Sequence, residues 1–132
     1  PHQMPDNPNY GTDLIVHIIE YFEQRIDKAL AAGVQRSRII LDPGIGFGKN
    51  TEQNCEILRR LSEINALGYP VMSGPSRKRF IGALMGGASV DDRLPGTAAA
   101  VALSIAGGAD IVRVHDVEFI AKMVKVCDGI VR

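Results

Sequence analysis

The sequence predicts an α/β protein with parallel strands. Longer segments with helical patterns alternate with three short, mainly apolar runs that are typical of strands: residues 39–41, 71–73 and 111–114. A helix followed by three strand–helix units favours parallel strands joined by helices. Asp42, Lys78 and Arg113 stand at or just beyond the ends of these runs, 36 and 35 residues apart. Because the carboxyl ends of parallel strands share one face, we expect this acid, lysine and arginine to converge there.

The elements between the strands are predicted to be helices. Five segments have helical spacing or a helix-forming composition: residues 13–32, 51–67, 76–84, 96–106 and 117–131. Gly33 stands where a C-terminal glycine belongs, and Gly68 with Pro70 closes the second segment. Ser76 is expected to cap the third helix. Residues 85–96, "MGGASVDDRLPG", form a loop that we expect to be flexible.

The strand at residues 39–41 is wholly apolar, which is typical of strands that a parallel sheet buries on both faces. The chain has 132 residues, enough for one modest domain and too few for two. Its 15 basic and 15 acidic residues balance. No overall field therefore attracts nucleic acid or an anionic membrane, we expect neither as a partner, and any anion site must be local.

The cysteines and the start of the chain indicate its setting. Cys55 and Cys127 lie far apart in no metal-binding pattern, which predicts a reduced, cytoplasmic environment. No stretch approaches the roughly 20 apolar residues of a membrane span, and the polar, proline-rich start "PHQMPDNPNYG" lacks the pattern of a signal peptide. This start resembles the middle of a loop, so we expect the chain to be a fragment of a longer protein.

The first motif, "LDPGIGFGKN" at residues 41–50, is not a phosphate loop. A P-loop needs a glycine where Pro43 stands and a hydroxyl where Asn50 stands, and Lys49 occupies the third glycine position of a dinucleotide fingerprint. Two interpretations of Asp42 stay open: its carboxylate only hydrogen-bonds the glycine-rich turn, or it contacts a ligand. A carboxylate at the end of a buried strand is costly unless backbone donors or a ligand satisfy it.

The second motif, "SGPSRKRFIG" at residues 73–82, indicates an anion site. Gly74 allows the backbone to approach a ligand closely, and the free N–H groups after Ser76 favour an anion. The "RKR" run would place three positive charges in the first helical turn, where cations are unfavourable. Such a conflict favours a functional role, and a solvated basic patch stays open as the alternative.

The third motif, "RVHDV", puts Arg113 and His115 on the same side of a strand, with Asp116 just beyond. Arg113 can present a flat fork to a diphosphate or stack on a planar ring, and His115 can donate to the same anion. We assign no functional role to His2, which lies in a loop, or to His17, which lies on an amphipathic helix.

Together and in this order, "LDPGIGFGKN", "SGPSRKRFIGAL" and "IVRVHDV" resemble dihydropteroate synthase of the folate pathway. The alanine-rich helix and the start "PHQM", which is similar to the continuation of that family's fifth-strand loop, fit as well. The resemblance covers essentially the whole chain. It implies that residues 1–132 are the C-terminal portion of a pterin-binding (β/α)8 TIM barrel, namely its last three βα units in an incomplete barrel.

The resemblance implies a transferase that joins 6-hydroxymethyl-7,8-dihydropterin diphosphate to p-aminobenzoate. Its Mg²⁺ would be held mainly by the absent N-terminal half and the substrate diphosphate, with no metal ligand in this fragment. The intact protein would be a homodimer. Because three strands leave an open edge and an uncovered core, we expect the fragment alone to be inactive and to need the absent N-terminal barrel half.

The resemblance also implies roles for the residues at matching positions. Asp42 would accept hydrogen bonds from pterin N–H groups and favour a developing cation. Lys78 would donate to the pterin ring and help shape the p-aminobenzoate site. Arg113 would stack on the pterin and, with His115, hold the diphosphate.

The p-aminobenzoate side of the site would be formed by the first two motifs. Phe47 would pack on the aromatic ring, and Gly74 would leave room for the substrate. Ser76, at its helix N-terminus and helped by Arg77, would receive the carboxylate.

Two other functions stay open. A pterin- or folate-binding barrel domain of a corrinoid methyltransferase system would only present a folate, and it needs neither the p-aminobenzoate site nor the diphosphate grip that "SRKRF" and "RVHD" indicate. A phosphate-binding barrel of unrelated metabolism would leave Asp42 without a role.

Overall fold

The computed structural model describes residues 13–132, so His2 and the "PHQM" start lie outside the described residues. The elements follow in this order: α1 (Leu14–Ala31), α2 (Thr51–Arg59), α3 (Leu61–Asn65), β1 (Met72–Ser73), α4 (Arg79–Leu84), α5 (Leu94–Ala106), β2 (Ile111–Val112) and α6 (Val117–Val131). Short 3₁₀ turns occupy Arg36–Arg38 and Val90–Asp92. This order confirms an α/β chain with parallel strands.

The sheet is narrow. Strands β1 and β2 are parallel, with Met72 opposite Ile111, and Leu41 forms a single parallel bridge with Val71. The predicted strand at 39–41 is therefore reduced to one bridging residue, and the predicted strand at 111–114 ends at Val112. Strands need partners for their backbone groups, and the described residues place no strand on the far side of residues 39–41.

The two faces of this sheet differ in burial. Leu41, Val71 and Ser73 face the helices and are buried. On the opposite face Ile40 is 51% exposed and Ile111 is 37% exposed. The prediction that the strand at 39–41 is buried on both faces is wrong for the described chain, because the helices cover one face of the sheet only.

Helix α1 begins and ends as the sequence predicts. The carboxylate of Asp13 accepts from the N–H groups of Ile15 and Val16, a side-chain N-cap. At the other end Gly33 has φ of 95°. Its N–H donates to Leu30, and the next N–H donates to Ala29, which satisfies the last carbonyl groups in a Schellman motif.

The helix predicted over 51–67 is interrupted at Arg60, where φ is −114° and ψ is 24°. The guanidinium there contacts three carboxylates: Asp13 at 3.1 Å, Glu56 at 2.9 Å and Glu63 at 2.7 Å. Hydrogen bonds from Arg60 are the main cause that lowers the pKa of both Asp13 and Glu63. This cluster joins the start of α1 to the junction of α2 and α3.

Within residues 13–132, two apolar clusters form the core. The larger one packs α1, α2 and α3 against the sheet, and the smaller one joins α5 to α6 through Val101, Ile105 and Ile120. Cys55 lies in α2 and Cys127 in α6, both as free thiols. In the described part of the chain, no helix has both the length and the apolar character that a membrane crossing needs.

Candidate active site

The three strand ends bring the predicted residues to one edge of the sheet. Asp42 follows Leu41, Gly74 follows Ser73, and Arg113 follows Val112. The N–H of Arg113 donates to the carbonyl of Ser73 at 3.0 Å. A Cβ at Gly74 would lie 3.4 Å from Nη2 of Arg113, so the small residue lets the guanidinium lie close to the backbone. The predicted convergence at the carboxyl ends is therefore present.

The glycine-rich turn is held by its own side chains. Oδ1 of Asp42 accepts from the N–H of Gly44 at 2.9 Å, and no donor within residues 13–132 reaches the other carboxylate oxygen. Nζ of Lys49 donates to the carbonyl groups of Gly44 at 3.1 Å and Phe47 at 2.9 Å. The Lys49 ammonium group bonds to carbonyl groups of the turn itself, whereas the lysine of a phosphate loop binds the phosphates. One oxygen of Asp42 therefore bonds to the turn, and the other can accept a hydrogen bond from a ligand.

Asn54, in the first turn of α2, holds this glycine-rich turn in place, and the sequence did not predict that role. Its buried Oδ1 accepts from the N–H of Gly46 at 2.7 Å, and its Nδ2 donates to the carbonyl of Asn50 at 3.0 Å. Asn50 and Gln53 form a capping box that starts α2. The types of Asn50 and Gln53 and their spacing predict the capping box. The sequence around Asn54 does not indicate that its side chain bonds to the preceding loop.

Lys78 occupies the centre of the site. Its Nζ lies 3.9 Å from the centroid of the Phe47 ring, a cation–π contact. Burial is the main cause that lowers the pKa of Lys78, the charge of Arg113 lowers it further, and the charge of Asp42 opposes both. The ammonium group thus has Phe47 beneath it and the opposite charges of Asp42 and Arg113 nearby.

Ser76 is placed differently from the prediction. Helix α4 begins at Arg79, with Lys78 at the N-cap position and no side-chain cap, so the prediction that Ser76 caps this helix is wrong. Ser76 is 5% exposed, and its hydroxyl lies 2.7 Å from Nδ1 of His115 and accepts from the His115 N–H at 3.0 Å. The tautomer of His115 decides whether this hydroxyl donates to Nδ1 or accepts from it.

The guanidinium of Arg77 is also paired with a side chain of this protein. Its Nη2 lies 3.0 Å from Oδ1 of Asp116 and its Nε lies 3.3 Å from Oδ2, a two-point ion pair. This pair raises the pKa of Arg77. The expected help of Arg77 in receiving a carboxylate has no support in this geometry, because the guanidinium is paired with Asp116.

No group of three or more His, Cys, Asp or Glu side chains in residues 13–132 could hold a metal ion. A mainly apolar groove of about 720 Å³ lies away from the strand ends, between α2, α4 and α5. The chemistry-bearing residues are therefore at the strand ends, and the groove is a separate surface.

A family comparison decides the class of protein. Residues 1–115 match the model of the family described as "Pterin binding enzyme". The chain belongs to the pterin-binding enzymes. This family match and the relatives described next together confirm the resemblance noted from the three motifs.

Individual relatives of this chain are dihydropteroate synthases. The one from Synechocystis is 48% identical over 132 residues, which is 100% of this chain and 45% of that protein. A Clostridium difficile dihydropteroate synthase, solved in the presence of pteroic acid, superposes with a TM-score of 0.93 at 44% identity, over 97% of this chain and 48% of that one. The Thermus thermophilus enzyme, solved in complex with 4-aminobenzoate, gives a TM-score of 0.85 at 40% identity over 91% of this chain and 48% of that one. The chain spans about half the length of these relatives.

Proposed function

We propose that residues 1–132 are the C-terminal portion of a dihydropteroate synthase, supplying the last three βα units of a (β/α)8 barrel. The observation that carries this proposal is the meeting of Asp42, Lys78 and Arg113 at one edge of the sheet, with Phe47 beneath the lysine. The sequence and structural similarity to dihydropteroate synthases supports the same assignment.

The proposed reaction joins 6-hydroxymethyl-7,8-dihydropterin diphosphate to p-aminobenzoate. The lone pair of the aniline nitrogen forms a bond to the pterin methylene carbon, and the carbon–oxygen bond to diphosphate breaks. Diphosphate leaves with that electron pair, and the nitrogen loses a proton to water. The aniline is already nucleophilic, so the site needs no general base and acts by positioning and charge stabilisation.

The site residues suit the charges of this reaction. The second carboxylate oxygen of Asp42 would accept from the pterin N–H groups and stabilise positive charge that develops on the pterin. Lys78 would donate to the pterin ring from above Phe47, which in turn would pack on the aminobenzoate. Arg113, beside Gly74, would stack on the pterin and hold the diphosphate together with His115.

Ser76 and Arg77 take different roles in this proposal from those first expected. The hydroxyl of Ser76 bonds to Nδ1 of His115, which orients the imidazole so that its other nitrogen can face the diphosphate. The Arg77 guanidinium is paired with Asp116. In this proposal neither side chain touches substrate, and both hold neighbouring residues of the site in place.

The side chains of residues 13–132 offer no group of three or more ligands that would fit Mg²⁺. We propose that oxygens of the diphosphate and residues of a first barrel half hold this ion.

Two protein partners are part of the proposal. A first barrel half would cover the sheet face where Ile40 and Ile111 are exposed. A second copy would pack on the groove between α2, α4 and α5, where the side chains of Leu84 and Leu103 are each 63% exposed. We propose a homodimer of complete barrels on this basis.

The function is tested with the full-length gene product in which a first barrel half precedes these residues, called the complete barrel below. Incubation with the pterin diphosphate and p-aminobenzoate is expected to give dihydropteroate and one diphosphate per turnover. Chromatography measures the dihydropteroate, and a separate assay measures the released diphosphate. Binding of the pterin without any product would instead favour a pterin-presenting domain of a methyltransferase system. Absence of both binding and product would reject the proposed function.

A Gly46→Ala substitution in the complete barrel is expected to lower kcat/KM by about tenfold or more. A Cβ at Gly46 would lie 2.6 Å from Cδ of Lys78, so the lysine must leave its place above Phe47. The control is Gly33→Ala, because Gly33 has a similar positive φ of 95° and nothing within 4 Å of the added Cβ. Both substitutions strain the backbone by about 1–2 kcal/mol, so equal kcat/KM values for the two variants would show that Lys78 does not depend on Gly46.

A further inference from the structure

Arg77 has the strained backbone of the site. Its φ is 58°, and it is the one residue other than glycine with a positive φ in the described part of the chain. A side chain with a Cβ rarely adopts this left-handed conformation, and it persists only where surrounding contacts hold it. The contacts at Arg77 therefore indicate what fixes the turn between β1 and α4.

Three contacts from three other parts of the chain hold this residue. The N–H of Arg77 donates to Oγ1 of Thr97 at 3.0 Å, and its carbonyl accepts from Nη1 of Arg93 at 2.9 Å. Its guanidinium pairs with Asp116. Thr97 is fully buried in the first turns of α5, and Arg93 also donates to the carbonyl of Ala88. The backbone and the side chain of Arg77 are thus held from α5, from the loop before α5 and from the loop after β2.

The neighbours of Arg77 on both sides belong to the site. Ser76 contacts His115, and Lys78 lies above the ring of Phe47. The backbone direction at Arg77 decides where Lys78 points relative to Ser76, because a change from left-handed to right-handed φ redirects the next residue. A loss of the contacts at Arg77 would therefore move Lys78 without changing any group that touches substrate.

We infer that Thr97, with Arg93 and Asp116, is a positioning residue for the reaction. It holds Arg77 in the left-handed conformation and thereby places Lys78 over Phe47. This inference rests on the proposed function and adds residues to it that contact neither substrate. Thr97 contributes most directly because its hydroxyl is the acceptor for the strained residue's own N–H.

The test replaces Thr97 in the complete barrel by valine and, separately, by serine. Valine keeps the shape and removes the acceptor, so kcat/KM for p-aminobenzoate is expected to fall about tenfold or more. Serine keeps the hydroxyl, so kcat/KM is expected to stay within about threefold of the unmodified barrel. Thermal unfolding is measured for every variant.

Ser104→Ala is the matched control for a merely structural effect. Ser104 is another fully buried hydroxyl of α5, it bonds to Ser73 and to the carbonyl of Ala100, and it does not touch the Arg77 turn. It is expected to lower the unfolding temperature as Thr97→Val does, while keeping kcat/KM. Equal losses of kcat/KM in the two variants, or full activity of Thr97→Val, would overturn the inference.

If Thr97→Val does not fold, Asp116→Asn takes its place, because it removes the ion pair to Arg77 at a partly exposed position without opening a cavity. Its kcat/KM for p-aminobenzoate is expected to fall by about fivefold or more, and an unchanged value overturns the inference. An unmodified complete barrel that makes no dihydropteroate is a failure of the proposed function. An active barrel that tolerates these substitutions is a failure of the positioning role alone.

Discussion

Replacing Asp42 by asparagine is expected to lower kcat/KM of the complete barrel by about 100- to 1,000-fold. Asparagine has the same shape, and its side-chain oxygen can still accept from the N–H of Gly44, as Oδ1 of Asp42 does at 2.9 Å. The turn is therefore expected to survive. The second oxygen becomes an NH₂ donor that faces the pterin N–H groups, and the negative charge that favours a cationic pterin is lost. Initial rates at varied pterin diphosphate measure this effect.

Asp110→Asn is the control for replacing a carboxylate in this sheet. Asp110 precedes β2 at the opposite end of the strand, and its carboxylate accepts from the N–H of Val71 at 3.2 Å. Its substitution also removes a hydrogen-bonded charge, so the two variants share any general effect on the sheet. We expect Asp110→Asn to keep kcat/KM within about threefold. An Asp42→Asn barrel with the same activity as this control would contradict the proposed role of Asp42.

The sequence was sufficient to predict that Asp42, Lys78 and Arg113 lie together, because the order of the strands determines which residues share an edge of the sheet. In a parallel sheet the residues after each strand lie at one edge, so the near-equal spacing of Asp42, Lys78 and Arg113 was enough. The helix ends were also predictable where one residue carries the signal, as Gly33 does. Local chemistry and strand periodicity are thus the parts of this fold that a single sequence specifies well.

The start of α4 shows where such local signals fail. Serine is a preferred N-cap residue, so Ser76 was expected to start the helix. Arg77 has a positive φ, which a right-handed helix does not permit, and the helix therefore begins two residues after it, at Arg79. The contacts that impose this conformation come from Thr97, Arg93 and Asp116. Partners so far along the chain leave no periodic pattern, and a buried threonine in an alanine-rich helix gives no sign of its role.

The exposure of Ile40 has a different cause. Its apolar neighbours are typical of a buried strand, yet the described residues leave its side chain 51% exposed. Sequence patterns report the environment for which a strand was selected. The chain spans about half the length of its relatives, and the proposed first barrel half would supply the rest of that environment.

Residues 1–132 alone are therefore expected to show no turnover and no sharp thermal transition. Ile40 and Ile111 on the sheet, together with Phe119, Val126 and Ile130 on α6, expose apolar surface that a stable domain covers. Covering it with a first barrel half is expected to give both activity and cooperative unfolding. Calorimetry and binding of an apolar dye, on the chain alone and in the complete barrel, measure the difference.

A pair of substitutions locates the covered surface. Ile40 and Leu41 are neighbours on opposite faces of the sheet, 51% and 3% exposed in this chain. If the first barrel half covers the open face, Ile40→Ala and Leu41→Ala each destabilise the complete barrel by about 2–5 kcal/mol, as truncations of buried residues do. A cost near zero for Ile40→Ala beside a full cost for Leu41→Ala would mean that this face stays open. A sharp transition with turnover in the isolated chain would contradict the need for a first half altogether.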